Sequence, residues 1–474
     1  MNDDTLLPRK LCMKKQPTAF APVLSRAFSL AGAVALLFGS SAAHAQSLLE
    51  LYESARNYDA TYIGAKSLYE ANLAKANQTL GGILPSIVMS ATSTRTHYDL
   101  SYDNPRTLPS TVAIPTARNY GTKTAAVSLT QPIYRPAAWA AYRQGGPLLQ
   151  QAAAQYEAAE QDLMVRVSQA YFDVLNSEDT LSFVKAQKQA VGEQLAAAKR
   201  NFEVGAATIT GVRDAQARFD LTSAQEIAAE NDVRVKRLAL DLVVGQQNTQ
   251  PKRLATTQTQ LVNAPKEDLQ TWVNTSESTN PGVRQSKLAL EVARLEVDKA
   301  VAGHKPTLDA QVVSSRTRNI DGNAVSTYDS HVFSPYAQLT FSMPLFSGLS
   351  TMYRVRETKA LEDKAQADFE AAKRNTAQAT RSAYLGLLAG LSQVKAYEAA
   401  EASSQSSLDA NKLGYSVGVN INIDVLNAQS QLFQTKRDLA KARYDVLVGS
   451  LKLRQAAGTL TPQDLQPINA LLAP

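Results

Sequence analysis

Two turns of nearly the same sequence carry the polar residues of this chain that could do chemistry. Residues 201–216 read NFEVGAATITGVRDAQ, and residues 414–429 read GYSVGVNINIDVLNAQ. Each turn contains one aspartate, Asp214 in the first and Asp424 in the second. Two carboxylates can act as a general acid and base, but no third polar group or cofactor motif accompanies this pair. The pair therefore does not indicate an enzyme.

Other catalytic and metal-binding signals are missing from the sequence. The histidines after the first 45 residues are His97, His304 and His331, which are scattered and lack metal-ligand spacing. The sequence contains no glycine-rich phosphate loop and no nucleophile elbow. We therefore predict no catalytic residue, no metal and no cofactor.

The first 45 residues have the composition of a secretory signal peptide. Basic residues precede the apolar run AFSLAGAVALLFGS, which ends in the small-x-small pattern AHA. Because this run is shorter than the roughly 20 residues that span a bilayer, we predict cleavage near Ala45. The true start is Met1 or Met13. The single cysteine, Cys12, lies before the apolar run, so a lipid anchor at the cleavage point is not expected.

The charge and hydropathy of the mature chain narrow the function further. Subtracting the five Lys/Arg and two Asp/Glu of the signal from totals of 49 and 43 leaves 44 against 41, a net charge of +3. This balance does not favour a nucleic-acid partner. No later stretch reaches 18 apolar residues without a charge, so no transmembrane helix is expected. The mature chain lacks cysteine and therefore lacks disulfides.

The mature chain contains two copies of one unit, residues 46–265 and 266–474. AYFDVL in the first copy returns as AYLGLL 213 residues later, and the correspondence extends over nearly the whole mature sequence. Each copy opens with a predicted helix, at 48–81 and 281–303, which ends before a proline. Two strands, a long helix, a turn and a returning helix follow in each copy.

The predicted strands are short and weakly alternating. They cover 87–98 and 122–133 in the first repeat, and 308–318 and 334–343 in the second. Their length and pattern are typical of membrane-barrel strands, with a small soluble sheet as the alternative. Four strands cannot close a barrel, which needs about eight, and open edges are not tolerated in lipid. Two or three chains would therefore have to pool their strands.

A long helix is predicted from 137 to 202, about 100 Å at 1.5 Å per residue. Apolar residues recur along it at spacings of four and three, which predicts coiled-coil packing, and only Ser177 and Lys188 depart from the pattern. The helical hairpins turn near 204–210 and 417–424. The seam positions are Leu163, Val167, Ala170, Val174, Ser177, Leu181, Val184, Lys188, Val191 and Leu195.

The stretches AYFDVLNSEDTLSFVKAQKQA, IDVLNAQSQLFQTKRDLAKARYDVL and AAGTLTPQDL make the chain resemble the TolC family of outer-membrane export ducts. The resemblance implies a mainly α fold with membrane β: a homotrimer whose twelve strands form a β-barrel that an α-helical barrel continues across the periplasm. It also implies that the turns Val204-Gly205 and Val417-Gly418 contact a periplasmic adaptor protein.

The resemblance further implies a periplasmic mouth built from the second turn. Tyr415 matches the family's linking tyrosine and Asp424 the first of two ring aspartates, whereas Asn427 stands in place of the second. Three copies of Asp424 in a narrow lumen would concentrate negative potential and attract cations, including divalent ions. The alternative interpretation is a carboxylate that complements the dipole at a helix N-terminus.

The side chains that link the hairpins and close the periplasmic mouth in the family are partly replaced in this sequence. Asn420 takes the place of the linking arginine, and the Thr-Asp pair that receives the links reads Thr210-Gly211. The first turn keeps its own aspartate, Asp214, at the position equivalent to Asn427 in the repeat. The resemblance therefore implies a mouth that is looser or is held by other contacts.

The resemblance implies an outer-membrane exit duct of a tripartite export system in a Gram-negative bacterium. An inner-membrane ABC transporter or other pump would supply the energy, and outer-membrane lipid would surround the strands. The absent lipidation cysteine favours type I protein secretion, with an RTX-type toxin or protease as typical cargo. The alternatives are a drug-efflux duct and a soluble periplasmic coiled-coil scaffold.

Overall fold

The predicted repeats are visible in the computed structural model of the chain. The predicted signal peptide lies outside the described residues apart from Ala45. Residues 256–264 and 266, on either side of the predicted repeat boundary at 265, also lie outside them. No helix among the described residues is long and apolar enough to cross a membrane. The structure describes residues 45–100, 117–205, 208–255, 265 and 267–473.

Each repeat supplies two strands and a long helical hairpin. The first repeat contains α1 (Leu48–Tyr58), α2 (Ala60–Gln78), β1 (Ser86–Asp99), β2 (Ala117–Tyr134), α3 (Pro136–Glu203) and α4 (Ile209–Val244). The second contains α5 (Leu269–Thr279), α6 (Pro281–Val301), β3 (Thr307–Ile320), β4 (Ser330–Ser342), α7 (Ser350–Ser416), α8 (Asn422–Ala457) and the short α9 (Leu465–Asn469). The four strands are longer than the predicted segments.

The helix that opens the first repeat is broken, whereas the sequence predicts a continuous one over 48–81. Asp59 ends α1 and caps α2, because its Oδ1 accepts a hydrogen bond of 2.8 Å from the backbone N–H of Tyr62. Arg166 on α3 donates two hydrogen bonds to the same carboxylate. This partner lies far away in sequence, so local propensity does not reveal the break.

The second repeat has a matching break that the sequence analysis missed. Asn280 separates α5 from α6, and its Oδ1 accepts a hydrogen bond of 2.9 Å from the N–H of Gly282. Pro281 follows at the first position of α6, where its missing N–H removes no helical hydrogen bond. The prediction of a single helix over 281–303 therefore omitted α5.

The heptad seam of α3 is a packing surface. The helix runs for 68 residues, about 100 Å, and Leu163, Val167 and Val174 on the seam are fully buried. The two polar seam positions are satisfied: Ser177 donates to the carbonyl of Val174 at 2.8 Å, and Lys188 pairs with Glu226 on α4 at 2.6 Å. Both departures from the pattern thus remain compatible with coiled-coil packing.

The main core lies about halfway along α3, where α1, α4, α8 and α9 meet it. The ring of Phe172 stacks on Tyr444 with centroids 5.6 Å apart, and the hydroxyl of Tyr171 donates to the carbonyl of Lys252 at 2.7 Å. Tyr444 also donates to Asp179 at 2.6 Å, and burial raises the pKa of that carboxyl. This core fixes the two hairpins side by side.

The strands form one antiparallel meander in the order β1-β2-β3-β4, so β1 and β4 are its edges. Their side chains alternate between two unlike faces. One face, which includes Ile87, Leu129 and Val312, carries mainly apolar residues on the half nearest the helices. The opposite face carries mainly Ser, Thr, Asn and Gln. We call these the apolar face and the polar face.

Candidate functional site at the hairpin tips

Both long helices end in the same turn, which explains the repeated Val-Gly. After α3 comes Val204 and then Gly205 with φ of +73°; after α7 comes Val417 and then Gly418 with φ of +81°. A glycine adopts this left-handed conformation without strain and so ends the helix. The two valines are 77% and 66% exposed, and such apolar side chains at the tips offer a contact surface.

Asp424 lies in the first turn of α8. Its Oδ2 accepts a hydrogen bond of 3.2 Å from the backbone N–H of Ile421. This is the role given to Asp424 by the alternative interpretation, a carboxylate that complements the dipole at a helix N-terminus. Among the residues that the structure describes, no Lys or Arg forms an ion pair with Asp424.

Asn422, which the sequence analysis missed, bridges the two hairpins. It is only 8% exposed. Its Nδ2 donates to the carbonyl of Gly211 at 3.2 Å, and its Oδ1 accepts from the side chain of Gln194. One amide on α8 therefore contacts both helices of the first hairpin.

Two further hydrogen bonds cross between the hairpins. The side chain of Asn201 donates to the hydroxyl of Tyr415 at 3.1 Å. Arg218 on α4 donates from Nη2 to the Oδ1 of Asn427 at 2.8 Å. Asn427, which stands in place of the second ring aspartate, thus accepts a hydrogen bond from a guanidinium of the same chain.

Asn420 and Thr210 stay within their own turns. Asn420 donates to the Oδ1 of Asn411 at 2.9 Å, and the hydroxyl of Thr210 lies 2.7 Å from that of Thr208. Asp214 is exposed and forms no ion pair within the described part of the chain. Within one chain, therefore, none of the three links the hairpins.

A cleft of about 630 Å³ separates the two tips. Six of the ten predicted site residues line this cleft, and the other four, Val204, Gly205, Asp424 and Asn427, lie outside its lining. Below the cleft, Leu195 and Ala215 of the first hairpin pack with Leu426 of the second and hold the tips together. The polar lining of the cleft consists of Asn201, Thr208, Thr210, Gly211, Asp214, Tyr415, Ser416, Asn420 and Asn422.

The missed residues share a signal in the sequence. Each bridging residue stands where the two repeats differ: Asn422 corresponds to Ile209, and Arg218 to Gln431. A difference in residue type between the two copies, such as Asn opposite Ile or Arg opposite Gln, marks a position where only one hairpin makes the contact. Among the described residues, no cluster of three or more His, Cys, Asp or Glu could hold a metal ion.

Comparison with known proteins agrees with this architecture. The family described as Outer membrane efflux protein matches residues 64–246 and 272–459, one segment in each repeat. The chain is 30% identical over 436 residues to the outer membrane protein TolC of Vibrio cholerae, covering 91% of this chain and 95% of that protein. It is 28% identical over 441 residues to the proteases secretion protein PrtF of Dickeya chrysanthemi, covering 92% and 93%.

The fold is similar to that of a solved outer membrane channel. The structure of CmeC from Campylobacter jejuni superimposes with a TM-score of 0.73 at 16% identity, covering 90% of each chain. This likeness confirms the predicted fold class, with two repeats that each contribute two strands and a long helical hairpin. Together with the family match over both repeats, it shows that the chain belongs to the TolC family of outer membrane efflux proteins, which are channels and not enzymes.

Proposed function

We propose that this chain is one subunit of a trimeric exit duct, with its strands in the outer membrane and its helices in the periplasm. The observation that carries the proposal is the difference between the two faces of the sheet. On the apolar face, Ile87 and Leu339 are each 72% exposed in the single chain. Such side chains suit lipid, while the Ser, Thr, Asn and Gln of the polar face suit a water-filled lumen.

The open edges of the sheet support a trimer. A single chain leaves β1 and β4 unpaired, and unpaired strand edges are not tolerated in lipid. Pairing β4 of each chain with β1 of the next gives twelve strands from three chains, an even number above the minimum of about eight. The helices begin close to the strand ends, with Pro136 two residues after β2 and Ser350 eight residues after β4. A helical tube would therefore continue the barrel.

The contacts at the tips would hold the periplasmic mouth closed. Asn422, the Asn201–Tyr415 pair and the Arg218–Asn427 pair tie the two hairpins of one chain together. They take the place of the arginine and aspartate lock that this sequence lacks. Three copies of Asp424 around the mouth would favour cations.

The exposed tip valines would contact a periplasmic adaptor. Val204 and Val417 each follow the last residue of a long helix, so three chains would present six equivalent turns. The adaptor would join the duct to an inner-membrane pump, and the duct itself would transport passively.

We favour protein secretion as the use of this duct. Similarity to a relative named for protease secretion supports it, as does the absence of a cysteine at the predicted cleavage site. The family description supports the second candidate, small-molecule efflux. A deletion strain separates them: secretion predicts loss of an exported protein from the medium, and efflux predicts greater sensitivity to toxic compounds.

The duct is tested by single-channel recording of the mature protein in planar bilayers, with Asp424→Asn beside the wild type. Discrete, cation-selective steps are expected, with weaker selectivity in the variant. Asp445→Asn is the matched control, because Asp445 is exposed, lies 21 residues beyond Asp424 on α8, and among the described residues pairs with Lys441 one turn away. A protein that never inserts would end the duct proposal. If Asp424→Asn is as cation-selective as the wild type, the proposed position of Asp424 in the lumen is wrong.

A further inference from the structure

The apolar face of the sheet becomes basic toward the loops between the strands. In register across the four strands, Ser93 faces Lys123, Lys123 faces Arg318 and Arg318 faces His331. Residues opposite one another in an antiparallel pair lie on the same face. Because the side-chain period is two, Arg316 lies on this face as well. We call Lys123, Arg316 and Arg318 the basic cluster.

The basic cluster has no carboxylate partner. Within the described residues, none of its three cations forms an ion pair, and Asp99, at the last position of β1, is the only acidic strand residue on this face. The guanidinium of Arg316 lies 5.6 Å from the centre of the Phe333 ring, which leaves its N–H groups available for an anion.

The depth of the basic cluster follows from the strand geometry. Phe341 is the apolar residue of this face nearest the helix end of β4, and His331 is ten residues further toward the loop. At about 3.3 Å per residue and a tilt of about 40°, the two are roughly 25 Å apart along the barrel axis, the usual height of the apolar band. Lys123 and Arg318, level with His331, would therefore lie at the membrane surface and not in its middle.

This surface is the outer one if the helices are periplasmic. The helices adjoin one end of the sheet, beyond Tyr134 and Ser342, and the basic cluster lies toward the opposite end. Unpaired cations cost about 2–4 kcal/mol at the middle of the bilayer and much less near its interface. Arg316 lies two residues closer to the helices than Arg318, and a long arginine side chain at that depth extends its guanidinium toward the headgroups.

We propose that Lys123, Arg316 and Arg318 bind a phosphate group of the phosphorylated glycolipid that forms the outer leaflet of Gram-negative outer membranes. The inference rests on the proposed duct, since the sheet must lie in that membrane. The cluster lines a groove of about 770 Å³ together with His331 and Phe333. Two guanidinium groups and an ammonium on neighbouring strands match the several acceptor oxygens of one phosphate.

The arrangement favours a lipid over a free anion. The groove opens on the apolar face, where acyl chains would cover exposed residues of the half nearest the helices, such as Val127 and Leu339, below the phosphate. A trimer would carry three such sites around its circumference. Each would set the depth of the barrel in the membrane and hold one lipid at its outer edge.

The test is a titration of the purified, detergent-solubilised mature protein with fluorescent lipopolysaccharide and with the same lipid after removal of its phosphates. We expect binding of the phosphorylated lipid to be at least about tenfold tighter. The combined variant Lys123→Gln, Arg316→Gln, Arg318→Gln should lose that difference. The matched control neutralises three exposed cations on α7: Lys359→Gln, Lys364→Gln and Arg374→Gln.

Equal binding of the two lipids by the wild type, or wild-type affinity in the cluster variant, would overturn the inference. Displacement of the lipid by millimolar inorganic phosphate would also overturn it, because it would indicate a site for a free anion. Conductance in planar bilayers separates this failure from failure of the duct. A protein that conducts without lipid preference contradicts the lipid site alone, whereas one that never inserts contradicts the proposed function.

Discussion

Replacement of Asn422 by alanine tests whether contacts between the hairpins close the mouth. Asn422 makes one hydrogen bond to the backbone of Gly211 and one to the side chain of Gln194, and it is nearly buried. Each such bond contributes about 1 kcal/mol net, so the variant should lose about 2 kcal/mol of closed-state stability in each chain. If the bonds exist only in the closed mouth, the ratio of open to closed should rise about 30-fold per chain.

Single-channel recording gives the assay for this prediction. The variant should spend more time in a high-conductance state than the wild type, with its trimer intact by native mass spectrometry. Gln405→Ala is the control, since Gln405 is exposed and, among the described residues, its side chain hydrogen-bonds to Asp409 one turn along α7. If Asn422→Ala conducts like the wild type while its trimer stays intact, the bridge does not hold the mouth closed.

Three further predictions concern other named contacts. Asn427→Asp should close the mouth more firmly, because its hydrogen bond to the Arg218 guanidinium becomes an ion pair; recordings should show a lower open fraction. Asp59→Asn should lower the free energy of unfolding of the helical part by about 2 kcal/mol near neutral pH, because Arg166 loses the charge of a largely buried partner. The Arg166 hydrogen bonds lower the pKa of Asp59 in the folded chain, so this difference should begin to shrink as the pH falls below about 4, where the carboxyl of the unfolded chain protonates, and should vanish only below the lowered pKa of the folded state. Val417→Asp should abolish cross-linking to the adaptor without changing conductance.

Each of these predictions has its own control. Arg218→Ala should raise the open fraction; if it and Asn427→Asp shift the open fraction in the same direction, the pair does not act as a closing contact. A stability difference between Asp59→Asn and wild type that is as large at pH 3 as at pH 7 would contradict the assigned ion pair. Val325→Asp is the control for Val417→Asp, because Val325 is 86% exposed in the loop between β3 and β4, far from the tips in sequence.

The sequence revealed the features of the fold that repeat locally. Heptad spacing predicted α3, and Val-Gly predicted both tip turns, because helix packing and left-handed glycines depend on neighbouring residues. The break at Asp59 escaped prediction because it is held by Arg166, more than a hundred residues away.

The candidate site was predicted less completely than the fold. The sequence predicts Tyr415, Gly211 and Asn427 as mouth residues, which stays a prediction, and the sequence analysis missed their bridging partners. Asn422 and Arg218 are ordinary polar residues in helical sequence, and only the side-by-side packing of two hairpins gives them partners. Comparison of the two repeats marks such positions, but the partner of each depends on the relative position of elements more than 200 residues apart.

The measurement that tests the account most directly is an electron cryo-microscopy structure of the mature protein in lipid nanodiscs. We expect three chains, with β4 of each paired to β1 of the next in a closed barrel of twelve strands, and with the helices outside the lipid as one continuous tube. A monomer, a different number of strands, or a sheet that stays outside the lipid would contradict the proposed duct.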